Sequence, residues 1–305
     1  MPDAPRVSLA PEGIRPFLKD AIVAGGGVVS DPEQADAIIW ADPSDPAGLR
    51  RLLDRSPTVR WVQLPWAGVE PYVGVLDHDR IWTAGKGVYA EEVAEHALGL
   101  ALGAMRNIGA YARSQTWLPP AGVSLHGARV TILGAGGIAE SLVRLLSPFD
   151  CRVTVVRRRA MTFPGVERTA RREELPSILP DTDLVVLALA LTPETDHIID
   201  HEMLAMMSSH AWLVNVARGR HVVTADLVAA LDAGAIAGAA LDVTDPEPLP
   251  DGHPLWTNPR CIVTPHVANT PEMAKPVLMR RVSENVRRFA AGEPLLGVVD
   301  VDAGY

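Results

Sequence analysis

The sequence predicts an α/β fold in which helices cover both faces of parallel sheets, with the chain divided over about two domains. Three observations lead there. The 305 residues correspond to about two domains at roughly 150 residues each. From Arg129 onward, continuous apolar runs alternate with helix-like segments, the signature of strands buried on both sides. A glycine-rich turn lies between the first of those runs and the helix that follows.

The first ninety residues read as short strand and helix units broken by Pro and Gly. Ala37–Trp40 is a buried strand, closed by the turn cluster Asp42-Pro43-Ser44-Asp45-Pro46. Residues 59–64 form another, running into Pro65-Trp66-Ala67-Gly68-Val69. Residues 91–105 carry apolar side chains at helical spacing. Their small members, among them Ala94, Ala97, Ala101 and Ala104, suit close packing against a second helix. Residues 119–122, Pro-Pro-Ala-Gly, make a linker-like break. Beyond it, 130–133, 153–156, 183–191, 212–216 and 262–264 read as strands, and 280–290 as an amphipathic helix capped by Gly292.

Composition narrows the function. With 28 Lys and Arg against 37 Asp and Glu, the net charge is −9, a poor match to nucleic acid or to an anionic membrane surface. No apolar run approaches the ~18 residues of a membrane-spanning helix; the longest, 184–191, is strand-sized. The first residues, Met-Pro-Asp-Ala-Pro, lack the basic region and apolar stretch of a secretory signal, so a cytoplasmic location is expected. Cys151 and Cys261 form neither a disulfide framework nor a metal-ligand pair. His197 and His201 are four residues apart but belong to no H-E-x-x-H motif, and no metal is expected.

The segment 129–139 reads as a strand, the turn Gly134-Ala135-Gly136-Gly137-Ile138-Ala139, and the start of a helix. In this G-x-G-x-x-A pattern Gly134 permits the tight turn, and Gly136 lets backbone amides approach a pyrophosphate at the helix N-terminus. Ala139 still allows close helix–sheet packing. Tight strand–helix turns also use glycine for geometry alone, but here strand, loop, helix and second strand follow in the order of a dinucleotide site. The second strand ends at Arg157-Arg158-Arg159, where NAD-specific enzymes carry a carboxylate for the ribose 2′-hydroxyl. Guanidinium groups bind a 2′-phosphate instead, which favours NADP(H) over NAD(H). Arg157 and Arg158 are the first choices, and Arg159 is placed in solvent.

Three further segments complete a pattern: Asn215-Val216-Ala217-Arg218-Gly219, then Leu241-Asp242-Val243 followed by Pro246-Glu247-Pro248, and Thr264-Pro265-His266. Their order and spacing resemble the D-isomer-specific 2-hydroxyacid dehydrogenases, in the glyoxylate/hydroxypyruvate reductase-like branch, from about residue 60 to 290. The resemblance implies two doubly wound parallel-sheet domains. A Rossmann cofactor domain, residues 95–270, is inserted into a smaller flavodoxin-like substrate domain made of residues 1–94 and 271–305. It implies that Arg218 orients the substrate, that His266 is the acid/base with Glu247 as its partner, and that Ala67 and Gly68 offer amides to the substrate carboxylate. It further places Ala217 and Asp242 at the cofactor, Asp242 on the nicotinamide carboxamide. His96 would be a packed polar residue on an interdomain helix. Trp117 is placed like a tryptophan that reaches a neighbouring subunit's site in such reductases, and a homodimer is expected.

The chemistry fits those residue types. Hydride addition to a 2-oxo acid builds negative charge on the carbonyl oxygen, and histidine is the side chain best suited to supply the proton. A carboxylate beside the ring keeps it protonated, and arginine's planar fork holds a carboxylate while polarising the carbonyl. The expected activity is therefore hydride transfer between NADP(H) and a small 2-oxo or D-2-hydroxy acid. The rival is a non-catalytic protein that senses nicotinamide nucleotides on the same scaffold. Relatives oxidising formate or phosphite use extra anion-binding side chains with no clear equivalents here. Ala190 departs from a proline common in the family, on the loop facing the cofactor.

Overall fold

In a parallel sheet covered on both faces, successive side chains of a strand enter two different cores, and both sheets of this protein are built that way. The structure is a computed structural model that describes residues 4–158 and 161–304. Arg159 lies outside the described residues. The chain falls into two units, Met1–Tyr89 with Thr270–Tyr305, and Ala90–Asn269.

The first unit runs β1 (Arg6–Ala10), α1 (Leu18–Ala24), β2 (Val28–Val29), β3 (Ala37–Trp40), α2 (Pro46–Asp54), β4 (Trp61–Gln63) and β5 (Ile81–Thr83). All pairings are parallel, in the order β2-β1-β3-β4-β5. Ile38, Trp40, Val62 and Leu64 enter one core, whereas Ala37, Ile39 and Trp61 enter the other with Val7, Leu9 and Ile22. Helix α2 starts where Asp45 accepts the Gly48 amide at 2.7 Å and Pro46 occupies the first turn, an N-cap that satisfies an otherwise orphan donor.

The second unit opens with α3 (Ala90–Met105) and α4 (Ile108–Arg113). It continues through β6 (Arg129–Leu133), α5 (Gly137–Leu146), β7 (Arg152–Val156), β8 (Arg168–Ala170), α6 (Leu175–Ile178), β9 (Leu184–Leu187) and α7 (His201–Met206). β10 (Trp212–Asn215), α8 (Thr224–Ala233), β11 (Gly238–Leu241), α9 (Pro254–Thr257) and β12 (Cys261–Val263) complete it. Its seven parallel strands are ordered β12-β11-β10-β9-β6-β7-β8. Val185, Leu187 and Leu213 point into one core, and Leu184, Val186, Trp212 and Val214 into the other. The small residues of α3, Ala94, Ala97, Ala101 and Ala104, join the second core with Ala139, Leu142 and Leu146 of α5. The chain then returns to the first unit as α10 (Pro271–Ala291), whose Leu278, Val282 and Val286 cover the core of Val7, Leu9 and Trp61.

Three expectations need correcting. The predicted strand 183–191 pairs only over Leu184–Leu187. Beyond it the chain turns, with the Thr195 hydroxyl bonded to the Ala190 carbonyl and the Thr192 amide, so apolar residues continue where sheet partners stop. The C-terminal helix begins at Pro271 rather than 280, because Thr270 caps it and Pro276 sits inside without ending it. The break at 119–122 is internal to the second unit, where the Tyr111 hydroxyl meets the Ala121 amide at 2.6 Å and Val123 donates to the Met105 carbonyl.

Candidate active site

Parallel strands deliver the residues that follow them to one edge of the sheet. Strand order reverses beside β6, with β9 on one side and β7 on the other, and such a switch point opens a crevice at the carboxyl edge. Taken across the sheet, His266 follows β12, Asp242 and Glu247 follow β11, and Ala217 and Arg218 follow β10. The loop from Gly134 follows β6, and Arg157 and Arg158 follow β7. Every residue assigned from sequence to the cofactor or the acid–base group lies on this one edge. Ala67 and Gly68 follow β4 at the corresponding edge of the other unit's sheet.

The glycine loop separates folding requirements from binding ones. Gly134 has φ of +116°, and a Cβ there would overlap the Ala188 carbonyl, so the fold itself demands glycine. Gly136 caps α5 in extended backbone, and a Cβ there would meet no atom within 4 Å. Glycine at 136 serves open space above the first turn of α5, where amides have no intrahelical acceptor. Ala135, Gly137 and Ile138 are partly exposed around that space and Ala139 is buried. Arg157 donates to the Met161 carbonyl at 3.4 Å, and the Arg158 charge acts on Glu194. These features, open glycine backbone followed by the partly exposed Arg157 and the exposed Arg158, fit a dinucleotide with a phosphorylated ribose.

The residues expected to act as acid and base meet in the same unit. His266 Nδ1 and Glu247 Oε1 are 2.6 Å apart. That bond to Glu247 raises the His266 pKa above 6.5, and the reciprocal bond to His266 holds the Glu247 carboxyl below its usual value. Arg218 acts electrostatically on both, favouring the ionised Glu247 and opposing protonation of His266. The bond at Nδ1 leaves Nε2 to face other partners.

Sequence reasoning missed the parts that hold these side chains. Asn215 is buried; its side chain accepts the Ala217 amide at 3.0 Å and donates to the Arg218 carbonyl at 2.9 Å. His221 is fully buried, its Nδ1 3.2 Å from the Arg218 amide and its Nε2 3.3 Å from the Ala190 carbonyl. The same Nδ1 also lies 3.1 Å from the Arg218 carbonyl, so the ring braces both backbone polar groups of Arg218. Gly219 packs so closely on the Thr244 carbonyl that a Cβ would overlap it, which joins the Arg218 turn to the loop bearing Glu247. The Thr224 hydroxyl donates to the Asp245 carbonyl at 2.6 Å and fastens that loop from α8.

His266 itself adopts φ of 53°, held where its amide donates to the Asp242 carbonyl at 2.8 Å. The Asp242 carboxylate is buried and accepts the Thr264 hydroxyl at 2.6 Å, the Val267 amide at 2.9 Å and the Ala268 amide at 3.0 Å. His96 of α3 lies 3.0 Å from the Thr264 hydroxyl and 3.3 Å from Asp242. Burial works against ionisation of Asp242, yet these bonds prevail and bring its pKa down to about 2. Oδ2 takes only the Ala268 amide among these bonds, so a further donor can be accepted there. The signal for this network was present in Thr264 and His96, but only the fold brings residues 168 positions apart together. His197 does not share a helix with His201: it has φ of 53° in the loop before α7.

Comparison with known proteins identifies the family. The model of the D-isomer specific 2-hydroxyacid dehydrogenase NAD-binding domain matches residues 98–268. A protein of Corynebacterium melassecola, described as an uncharacterized protein in the proB 3′ region, is 38% identical over 297 residues, covering 93% of this chain and 95% of its own. Glyoxylate/hydroxypyruvate reductase A of Serratia proteamaculans (strain 568) is 32% identical over 292 residues, 90% of this chain and 89% of that protein. Among solved structures, the D-isomer specific 2-hydroxyacid dehydrogenase of Xanthobacter autotrophicus Py2, in complex with NADPH and MES, has a TM-score of 0.84. It is 30% identical, covering 99% of this chain and 100% of that one. The sheet edge and its bound relatives describe one family, and this chain belongs to the D-isomer-specific 2-hydroxyacid dehydrogenases.

Proposed function

We propose that the protein is an NADP(H)-preferring reductase of small 2-oxo acids, glyoxylate and hydroxypyruvate among them, yielding 2-hydroxy acids of the D configuration wherever the new centre is chiral. The observation that carries this is the 2.6 Å pairing of His266 with Glu247, within electrostatic reach of Arg218. A nucleotide-sensing protein would need the glycine loop but would have no use for a histidine whose pKa a neighbouring carboxylate raises. Support for the substrates comes from the Serratia reductase, and support for the cofactor from the NADPH-bound Xanthobacter structure and from Arg157 and Arg158.

The bound nicotinamide supplies the hydride; the chain does the rest. Gly134–Ile138 and the first turn of α5 receive the pyrophosphate, Arg157 and Arg158 the 2′-phosphate, and Ala217 and Asp242 border the nicotinamide. Arg218 holds the substrate carboxylate and polarises its carbonyl, with the Ala67 and Gly68 amides as further donors. As charge develops on the carbonyl oxygen, His266 Nε2 delivers the proton, and Glu247 stabilises the imidazolium beforehand. In oxidation the same nitrogen takes the proton from the hydroxyl.

The domains keep the proposed division into a substrate domain from both chain ends and an inserted cofactor domain. A homodimer is also proposed, in which Trp117, 100% exposed and followed by the exposed Leu118 and Val123, would be covered by a second copy. Among the described residues no helix is long and apolar enough to cross a membrane. The test is steady-state oxidation of NADPH and, separately, NADH with 2-oxo acids graded from glyoxylate to aromatic ones. Turnover with NADPH preferred is expected. Tight nucleotide binding with no turnover of any acid would overturn the reading in favour of the sensing protein.

A further inference from the structure

At the carboxyl edge of the first unit's sheet, the loops after β1, β3 and β4 converge, and the strand order reverses between β1 and β3, again the place where open α/β sheets form a crevice. Arg15, in the first of these loops, is held at φ of 49°, a left-handed conformation that costs a non-glycine residue about 1–2 kcal/mol. Its guanidinium lies 4.2 Å over the Trp66 ring, and Nη1 donates to the Pro65 carbonyl at 3.3 Å. The segment it touches leads directly into Ala67 and Gly68. That segment is braced from the other side: Tyr89 meets the Trp66 ring edge-on, and the Gly85 amide donates to the Trp66 carbonyl at 2.7 Å.

Arg15 carries its charge without an ion pair among the described residues. The carboxylate that acts on it, Asp42, is engaged by the Ser44 amide and hydroxyl at 2.8 and 2.7 Å. Among the described residues no carboxylate comes within ion-pair distance of it. Burial works against its charge and outweighs the opposing pull of Tyr89, Tyr72 and Asp42, and the guanidinium makes one long bond, to the Pro65 carbonyl. A guanidinium has five N–H donors, so most of the fork is available. Stacking on an aromatic ring fixes the plane of the fork in advance, which lowers the entropy lost when a planar anion docks.

We propose that Arg15, beside the Trp66–Gly68 backbone, forms a carboxylate subsite that selects 2-oxo acids carrying a second, terminal carboxylate. This rests on the reductase reading, in which the substrate's own carboxylate is taken by Arg218 and the Ala67 and Gly68 amides. A further cation with no carboxylate in ion-pair contact among the described residues suits a further anion, and dicarboxylic 2-oxo acids are the class that brings one.

The test compares the intact protein with Arg15→Met, which keeps the stem and drops the charge, and with Arg15→Lys, which keeps charge without the fork. Each is assayed with NADPH on 2-oxoglutarate and on 2-oxopentanoate, equal in length and differing in one carboxylate. Each is also titrated calorimetrically with succinate and with butyrate. For Arg15→Met, kcat/KM on 2-oxoglutarate falls at least tenfold while 2-oxopentanoate changes less than twofold. Arg15→Lys falls between, and succinate binding weakens with Arg15→Met while butyrate does not. Equal losses on both acids would make Arg15 a prop for Trp66 and overturn the subsite, as would unchanged kinetics and unchanged succinate binding. If no 2-oxo acid is turned over but succinate binding still depends on Arg15, the reductase reading falls and the subsite stands.

Discussion

Replacing Glu247 with Gln preserves the volume of the side chain and an oxygen facing His266 Nδ1, and deletes only the charge. The 2.6 Å separation is that of a charge-assisted bond, worth about 1.5–3 kcal/mol when shielded. Here the side chains of His266 and Glu247 are 53% and 41% exposed, so solvent screening brings the coupling down to about 1 kcal/mol. At about 1.4 kcal/mol per factor of ten, reduction near neutral pH should slow roughly five- to tenfold. The loss should also depend on pH. Glu247 holds the His266 pKa above 6.5, and the imidazolium is the acid in reduction, so the wild-type rate falls as pH rises through that raised pKa. Without the carboxylate, the fall begins at lower pH. The defect therefore widens above neutrality and closes in acid, while the rising limb for hydroxy-acid oxidation also moves to lower pH. Measuring kcat/KM for glyoxylate reduction against pH in both proteins checks this. A profile for Glu247→Gln superimposable on wild type would refute the assigned partnership.

Other expectations follow from the same geometry. Arg157→Asp should raise KM for NADPH at least tenfold and leave NADH within a few-fold, by initial rates; equal losses would remove the 2′-phosphate role. Gly134→Ala, which meets the Ala188 carbonyl at a φ of +116°, should destabilise the protein by about 2–5 kcal/mol. Gly136→Ala, with open space around it, should leave urea stability within about 0.5 kcal/mol yet weaken nucleotide binding in fluorescence titration. For Asp242, a folded pKa of about 2 against an ordinary 3.8 means stability that is fully present above pH 4 and lost as pH falls through 2, about 2 kcal/mol in all. Asp242→Asn should therefore be less stable than wild type at pH 7, with a gap that narrows between pH 4 and 2 in chemical denaturation. A constant gap would show that the carboxylate's charge is not what the network holds.

What the sequence reveals depends on how local the cause is. The turn at 134–139 was legible because the constraint sits within six consecutive residues, and Ala37–Trp40 because an apolar strand needs only its own side chains to declare itself. Arg218, Glu247 and His266 were recognised through a resemblance, since nothing in their separate contexts says that they meet. β11, Gly238-Ala239-Ala240-Leu241, escaped notice because its small residues have weak strand preference; a Cβ at Gly238 would overlap Trp212 of the neighbouring strand, so packing across the sheet chose them. The buried braces Asn215 and His221, and the bond from His96 to Thr264, have no signature in spacing at all. Their partners are set by which strands neighbour one another, and that order is a property of the whole sheet.

The return of the chain as α10 bears on how the protein emerges from the ribosome. One face of the first sheet, with Val7, Leu9, Ile39 and Trp61, is completed by Leu278, Val282 and Val286 of that helix. Between the two stretches lie the 180 residues of Ala90–Asn269, which at roughly 5–20 residues per second take about 10–40 s to synthesise. Through that interval one side of the nascent amino-terminal layer is covered by α1 alone, while the inserted segment already contains both partners for each of its own cores. The inserted unit is thus equipped to finish folding first, and the segment made earliest is among the last to be sealed. A chain truncated before residue 271 should accordingly associate with chaperones through that open face, whereas adding back 271–305 in trans should release it.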